Sequence, residues 1–139
     1  MRKLKKLRMA ELTSKLVGEE YRLGKHDCLS VIIYFCEAWG IELPDEFEGY
    51  TRDNYAELYN IDNEKAIDAF ARFISTLGEE VPPDRLATGD FILAEYAGKK
   101  GIFVHGGSGV GICAFADKGI SATILKPYTV LKAYRWREN

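Results

Sequence analysis

The chain has 139 residues, enough for one domain with a single core, and 47% of its residues are hydrophobic and 29% charged. This balance is typical of a soluble globular protein and argues against a disordered or membrane-spanning one. No apolar run reaches the length of a membrane span, and no apolar stretch follows the basic first residues, so we expect neither a span nor a cleaved signal peptide. Three cysteines without C-x-x-C spacing argue against a disulfide framework or a zinc ribbon.

The net charge of -2 hides a segregation of charge along the chain. Basic residues dominate the first 25 positions and the end of the chain, whereas residues 37–68 are strongly acidic. No aromatic residue that could stack on a base lies among the N-terminal lysines, so we predict no nucleic-acid partner. Solvated charge, or docking on an acidic protein, is the better interpretation of the basic segment.

Helices are predicted over the first half of the chain. Apolar residues at three- to five-residue spacing predict a basic amphipathic helix within residues 1–20. Residues 21–87 form a mainly helical part, in which a nearly continuous apolar run predicts a buried central helix over 28–39. Asp27 is placed to accept hydrogen bonds from the first turn of that helix, and Gly40 to cap its end.

Between the central helix and the sheet, residues 41–50 are acidic and turn-rich and are predicted to be a loop. Thr51 could cap a short helix that runs to Tyr59. Residues 63–77 place their apolar side chains on one helical face, and Gly78 ends this helix. The Pro82-Pro83 pair then fixes an extended crossing to the sheet.

After residue 88 the hydrophobic period changes to that of strands, with a turn signal between each pair. Five short strands are predicted, at residues 91–94, 101–105, 110–115, 120–125 and 130–136. Helices followed by consecutive strands predict a single α+β domain over 1–139, with a five-stranded antiparallel sheet in residues 88–137.

Cys28 is the candidate catalytic nucleophile. It lies at the predicted N-terminus of the central helix, where the helix dipole and unpaired N–H groups lower the pKa of a thiol. The alternative is that Cys28 is a small apolar residue of the core, because free cysteines are among the most buried residues. A nucleophile also needs a base within reach.

His26 and His105 are the only histidines, so a Cys-His pair must use one of them. His26 lies two residues before Cys28, and we expect it to hydrogen-bond the loop or pack against the sheet. His105 closes a predicted strand beside a glycine-rich hairpin, and we expect it near a sheet edge. Sequence spacing does not choose between them, because base and nucleophile meet in space.

Two further patterns predict no ligand site. The run Gly106-Gly107-Ser108-Gly109 lacks the lysine and hydroxyl of a phosphate-binding loop and joins two strands, so a hairpin is the better interpretation. The histidines and cysteines also lack recognisable metal-ligand spacing, and we predict no metal and no cofactor. The residues concerned are His26, Cys28, Cys36, His105 and Cys113.

Three landmarks occur in order: Asp27-Cys28 opens the buried helix, Gly89-Asp90 precedes the first strand and Gly101-Ile102 begins the second. This order resembles that of the NlpC-type cell-wall cysteine peptidases, a compact branch of the papain-like fold. A closer resemblance, over residues 21–137, is to short proteins encoded among phage tail genes, which look like diverged members of that superfamily. The motifs that carry it are Gly24-Lys25-His26-Asp27-Cys28, Phe47-Glu48-Gly49-Tyr50, Gly89-Asp90, Gly101-Ile102, Gly119-Ile120 and Ala133-Tyr134-Arg135-Trp136.

The chain departs from the peptidase pattern at the partners of the nucleophile. Where active members carry the base histidine, two residues before the strand's glycine, this chain has Lys99. Their third polar residue falls near Gly111, Ile112 and Cys113 here, and none of these can orient an imidazole. A lysine could act as base only after desolvation, and Lys99 lies in a Gly-Lys-Lys-Gly turn that we expect to be exposed. The resemblance therefore implies a retained nucleophile position without its base.

Two functions follow from the resemblance. The first is a structural protein of a phage tail tip or baseplate without catalysis, made in the host cytoplasm, located in the virion tail and bound to hub and distal tail proteins. The second is an active cysteine peptidase or amidase that cleaves peptidoglycan peptides during genome entry, with Cys28 as nucleophile and His26 or His105 as base. A third alternative is a small intracellular thiol-dependent hydrolase unrelated to phage.

Overall fold

The computed structural model describes residues 2–136, and the side chains of residues 8–136. Within that part of the chain the α-helices are α1 (Arg2–Leu16), α2 (Cys28–Ala38), α3 (Tyr55–Ile61) and α4 (Asn63–Ser75). The strands are β1 (Glu46–Phe47), β2 (Tyr50–Thr51), β3 (Gly78–Glu80), β4 (Phe91–Tyr96), β5 (Lys99–Gly107), β6 (Val110–Phe115), β7 (Gly119–Ile124) and β8 (Thr129–Trp136). A 3₁₀ turn, Pro83–Arg85, precedes β4. The α+β class predicted from the sequence is confirmed.

Helix α2 is the buried element around which the rest packs; its predicted start at Cys28 is confirmed, and it ends at Ala38, one residue before the predicted end. The Asp27 carboxylate accepts hydrogen bonds from the backbone N–H groups of Leu29 (3.0 Å) and Ser30 (2.7 Å). The Ser30 hydroxyl in turn accepts from the Asp27 N–H at 2.7 Å, which completes a capping box. Beyond the helix, Gly40 has a φ of +75°, the left-handed conformation that favours glycine after a helix end. Helix α2 packs against β5 and β6.

Helix α1 begins at Arg2 and ends at Leu16, so it covers most of the helix predicted within residues 1–20. Met9 and Leu16 are buried in the core, and Leu12 packs against it. The side chains of Leu4 and Leu7, which completed the predicted apolar face, lie outside the described ones. Among residues 2–136, no helix is both long and apolar enough to cross a membrane.

The main sheet has the strand order β3-β8-β4-β5-β6-β7, and every neighbouring pair is antiparallel. The five predicted strands correspond to β4–β8, but the predicted count is wrong because β3 adds a sixth strand. Helix α4 ends at Ser75, before the predicted stop at Gly78, and Gly78 instead begins β3, whose three residues are all exposed. A Cβ at Gly78 would lie 1.9 Å from the Arg135 carbonyl oxygen. Pairing with β8, rather than a hydrophobic pattern, therefore creates this strand.

The connections of the sheet are not a simple meander. Strands β4 to β7 follow one another as hairpins, whereas β8 returns across the sheet to pair with the other side of β4. The turn between β5 and β6 is the predicted glycine hairpin, in which Gly107, Ser108 and Gly109 have positive φ angles. The return of β8 makes β4 and β5 central strands.

Residues 41–50 are not only a loop, as predicted, because they contain part of a small hairpin. Strands β1 and β2 pair Glu46 with Thr51 and Phe47 with Tyr50. Strands of two residues carry no detectable alternation, which explains why the sequence does not show them. The turn between them places Glu48 and Gly49 at positive φ, and the Arg72 guanidinium donates to both carboxylate oxygens of Glu48.

An aromatic cluster joins the end of α2 to the sheet. Trp39 packs edge-on against Phe91 of β4 at 5.6 Å and stacks on Trp136 of β8, with ring centroids 6.0 Å apart and planes inclined by 7°. These are the two tryptophans of the chain. The cluster fixes the helical layer at one end of the sheet, and the N-terminus of α2 lies at the other end of that helix.

Candidate functional site

A cleft of about 920 Å³ opens beside the N-terminus of α2. Its walls come from the start of α2, the junction of α3 and α4, the β4–β5 turn and β6. Its lining residues with chemically active side chains include Tyr21, Cys28, Tyr59, Lys99, Lys100 and Cys113. This cleft therefore contains the predicted nucleophile.

Cys28 is the first residue of α2 and is only 5% exposed. Its thiol donates a hydrogen bond to the Tyr59 hydroxyl, with 3.4 Å between sulfur and oxygen. The pKa of Cys28 is lowered, first because the Cys113 thiol hydrogen-bonds to its sulfur, and then because Tyr59 and the backbone N–H of Cys28 also stabilise the thiolate. Burial opposes this effect. The position at the helix N-terminus predicted from the sequence thus holds a thiol that favours ionisation.

Cys113, on β6, is the direct neighbour of Cys28. It is 3% exposed, and its thiol lies 3.7 Å from the Ala114 carbonyl oxygen. Its pKa is raised, because its hydrogen bond to Cys28 requires the proton and because burial disfavours its charged form. Of the two thiols, Cys28 is therefore the one that ionises more readily, and Cys113 the one that keeps its proton more readily.

Two tyrosines surround the Cys28 sulfur. Burial, followed by the negative charge of Cys28, raises the pKa of Tyr21 to about 12 and also raises the pKa of Tyr59. Both hydroxyls therefore keep their protons at neutral pH. Sequence reasoning missed Tyr59, although one signal was available. Tyr55 and Tyr59 are four residues apart on α3, so they share a helix face, and Tyr55 packs on Phe70 of the core.

His105 lies on β5, between β4 and β6, and is 4% exposed. The expectation that it lies near a sheet edge is wrong, because β8 and β4 cover one side of β5 and β6 the other. Its Nδ1 is 2.9 Å from the Ala87 carbonyl oxygen. The β5 residues that line the cleft are Lys99, Lys100, Gly101 and Phe103, and His105 lies two residues beyond Phe103. His105 is not among the residues that line the cleft.

His26 lies in the turn before α2. Its backbone pairs with that of Arg22, donating at 2.7 Å and accepting at 3.3 Å. Its half-buried ring contacts Tyr34 edge-on, with centroids 6.5 Å apart. His26 does not line the cleft either. Of the three candidate catalytic residues, the structure places only Cys28 in the cleft.

The mouth of the cleft carries both signs of charge. Lys99 is exposed at the start of β5. The Lys100 ammonium lies 3.3 Å from an Asp68 carboxylate oxygen and 3.9 Å from one of Glu64. A lysine acts as a general base only when a site that excludes water keeps it neutral. Lys99 is exposed, so it is not in such a site.

The described residues do not bring together a metal-ligand set. Among them, no three or more His, Cys, Asp or Glu side chains are grouped so that they could hold a metal ion. Of the five residues considered from the sequence, the structure joins only Cys28 and Cys113. Cys36 lies two turns further along α2 and is fully buried.

Several residues of the motifs that resemble those of the NlpC-type peptidases and phage tail proteins stabilise the fold instead of lining the cleft. The Asp90 carboxylate is fully buried and accepts two hydrogen bonds from the Arg135 guanidinium, at 2.9 and 3.0 Å, and one from the Ala87 N–H at 2.8 Å. Gly24 donates its backbone N–H to Asp27 at 2.6 Å and has a φ of +84°. These motif residues thus have structural roles that do not require catalysis.

Fold and site together define a small α+β protein with a pair of thiols in a cleft and no histidine lining it. The sequence matches the family described as "Domain of unknown function (DUF6950)" over residues 1–136, and the chain belongs to this family. No curated protein matches the sequence.

Proposed function

We propose that this chain is a structural protein of a phage tail tip or baseplate, built on a diverged NlpC-like, papain-like fold and without peptidase activity. The observation that carries the second half of the proposal is the composition of the cleft: Cys28 lines it, and neither His26 nor His105 does. A peptidase needs a base that activates the thiol and then protonates the leaving amine.

The order of the elements supports the NlpC-like part of the proposal. Asp27-Cys28 opens a buried helix that packs on an antiparallel sheet, Gly89-Asp90 precedes β4, and Gly101 lies near the start of β5. The association with phage tails depends on the resemblance alone. The hub and distal tail proteins are the partners, and the virion tail is the location.

Co-expression with the products of the genes that flank its own tests the structural role. We expect a tagged chain to purify in a stoichiometric complex with a tail protein and to remain with it during size-exclusion chromatography. Interface variants on the α3–α4 surface, such as Glu57→Lys, should weaken the complex more than Lys126→Glu in the exposed turn between β7 and β8. A chain that stays monomeric with each tail product would contradict the proposal.

The peptidase alternative keeps one observation in its favour: the lowered pKa of Cys28 in a cleft large enough for a peptide. Incubation with purified peptidoglycan, followed by chromatography and mass spectrometry of the released fragments, decides between the two. We expect no release by the wild-type chain. Release that disappears in Cys28→Ala would establish the peptidase and overturn the non-catalytic proposal.

A further inference from the structure

We propose that Cys28 and Cys113 form a thiol–disulfide exchange site, in which Cys28 attacks a low-molecular-weight disulfide and Cys113 resolves the product into an internal Cys28–Cys113 disulfide. This inference is independent of the tail assignment. It starts from the juxtaposition of two free thiols from different elements, α2 and β6, that line the same cleft.

The surroundings of the two thiols differ, so that Cys28 is suited to attack a disulfide and Cys113 to resolve the product. Cys28 has the helix N-terminus, its own N–H and the Tyr59 hydroxyl to stabilise a thiolate, and the thiolate is the species that attacks a disulfide. Cys113 has no comparable position, and its thiol donates to the Ala114 carbonyl oxygen at 3.7 Å. Cys36 provides the contrast, because it is fully buried and does not line the cleft.

The chemistry fits a site without histidine. In the first step the Cys28 thiolate forms a bond to one sulfur of the small disulfide, whose S–S bond breaks and releases a thiolate. In the second step the Cys113 sulfur attacks Cys28, the mixed disulfide breaks, and the second small thiol leaves with the Cys113 proton. The chain loses two electrons and the small disulfide gains them. A thiolate leaves without the protonation that an amine requires.

The size of the cleft and the exposed Lys99 at its mouth favour a small anionic disulfide. The cleft of about 920 Å³ reaches both thiols, and Lys99 at its mouth is exposed. Aromatic side chains, including Tyr21, Tyr96 and Tyr128, line its walls. A peptide-like disulfide with carboxylates, such as oxidised glutathione, matches this combination of size and charge.

The test exposes the reduced, folded chain to oxidised glutathione and counts free thiols with a maleimide after denaturation. We expect the wild type to fall from three free thiols to one, with no retained adduct and a Cys28–Cys113 linked peptide in mass spectrometry. Cys113→Ser should retain one glutathione on Cys28, because the resolving thiol is missing. Cys28→Ser should not react at Cys113, and the matched control Cys36→Ser should behave as the wild type.

Three results would overturn the inference. The first is a glutathione adduct that persists on Cys28 of the wild type as long as it does in Cys113→Ser. The second is modification of Cys113 in Cys28→Ser at the wild-type rate. The third is a wild type that does not react at all. Cys113→Ala replaces Cys113→Ser if the serine variant does not fold, as judged by circular dichroism.

Lys99→Glu tests the role of charge. It should slow the reaction with oxidised glutathione at least about threefold and should leave the reaction with an uncharged disulfide unchanged.

Discussion

Cys28 and Cys36 lie on one helix, two turns apart, yet their environments are opposite. Cys28 meets the helix N-terminus, the Tyr59 hydroxyl and the Cys113 thiol, which lower its pKa. Cys36 is enclosed by apolar side chains, and burial raises its pKa to about 12. A position at the end of a helix rather than in its middle thus decides whether a buried cysteine can carry chemistry.

Alkylation by iodoacetamide should separate these two thiols. At pH 7 a thiol with a pKa of about 12 is ionised to about one part in 10⁵, so Cys36 should label only after unfolding. The pKa of Cys28 is lowered, so part of this thiol stays ionised at pH values below the ordinary thiol pKa of about 8.5. Labelling of Cys28 should therefore continue at those pH values. Mass spectrometry of folded protein over a pH series measures both rates. Equal rates at Cys28 and Cys36 would contradict the prediction.

Asp27 fixes the beginning of α2, and its replacement by alanine should destabilise the fold. The buried carboxylate accepts from the backbone N–H groups of Gly24, Leu29 and Ser30, so Asp27→Ala leaves three donors without their acceptor. We expect the free energy of unfolding to fall by about 2–3 kcal/mol. Urea denaturation measures it.

The matched control is Asp62→Ala at the N-cap of α4. Its carboxylate accepts a single hydrogen bond, from the Lys65 N–H at 3.1 Å, and the side chain is exposed. A loss of about 0.5–1 kcal/mol is expected there. If Asp27→Ala costs no more than this control, the capping box does not anchor the helix.

At the scale of elements, sequence periodicity predicts those that bury a regular apolar face. Helices α2 and α4 and strands β4–β8 fall in this group. Strands β1, β2 and β3 do not, because two or three residues cannot show a period and their pairing partners create them. The return of β8 to pair with β4 is equally hidden, since strand order depends on contacts distant in sequence.

The same division holds for the site. Cys28 could be predicted because its signal, a capping residue before an apolar run, is local. Its partners Cys113 and Tyr59 come from β6 and α3, which only the fold brings to the helix N-terminus. The position of His105 could not be predicted, because its distance from a sheet edge depends on where β8 pairs.

The ion pair between the buried Asp90 carboxylate and the partly exposed Arg135 guanidinium ties the residue before β4 to β8. Arg135→Met should lower the free energy of unfolding by about 2–4 kcal/mol, because it leaves the fully buried Asp90 carboxylate with only the Ala87 N–H as a donor. Guanidinium denaturation measures the change. A loss below about 1 kcal/mol would show that water replaces the arginine.

Lys132→Met on the same strand is the control for this variant. Its ammonium lies 3.2 Å from Glu80, and both side chains are about half exposed. An exposed pair of this kind contributes about 0–1 kcal/mol, so the control should remain close to the wild type.

At the scale of the whole molecule, each edge of the main sheet carries a feature that opposes pairing with another chain. At one edge, β3 carries Glu79 and Glu80, whose charges oppose pairing with another chain. At the other edge, Gly18 donates to the Ile120 carbonyl oxygen and Ile120 donates to the Glu19 carbonyl oxygen, both at 2.9 Å. The segment after α1 therefore covers the beginning of β7, at Ile120.

Gly119 is where this segment comes closest to the sheet. It has a φ of +73°, and a Cβ there would lie 2.2 Å from the Glu19 carbonyl oxygen. Gly119→Ala should therefore displace the segment, lower the free energy of unfolding by about 3 kcal/mol and speed hydrogen exchange at the Ile120 amide. Gly98→Ala, at a similar φ of +79° with open space around it, should cost only about 1 kcal/mol. Equal losses in the two variants would show that the contact with Glu19 is not needed.

The stacked pair of Trp39 and Trp136 also determines what spectroscopy can see. Both indoles of the chain lie face to face where α2 meets β8. Transition dipoles at this separation couple, so the far-ultraviolet circular dichroism of the native state contains an exciton couplet that neither indole produces alone. All indole emission likewise originates from this one junction. Tryptophan fluorescence therefore reports the docking of the helical layer on the sheet. Binding or oxidation in the cleft, at the opposite end of α2, should change this emission little.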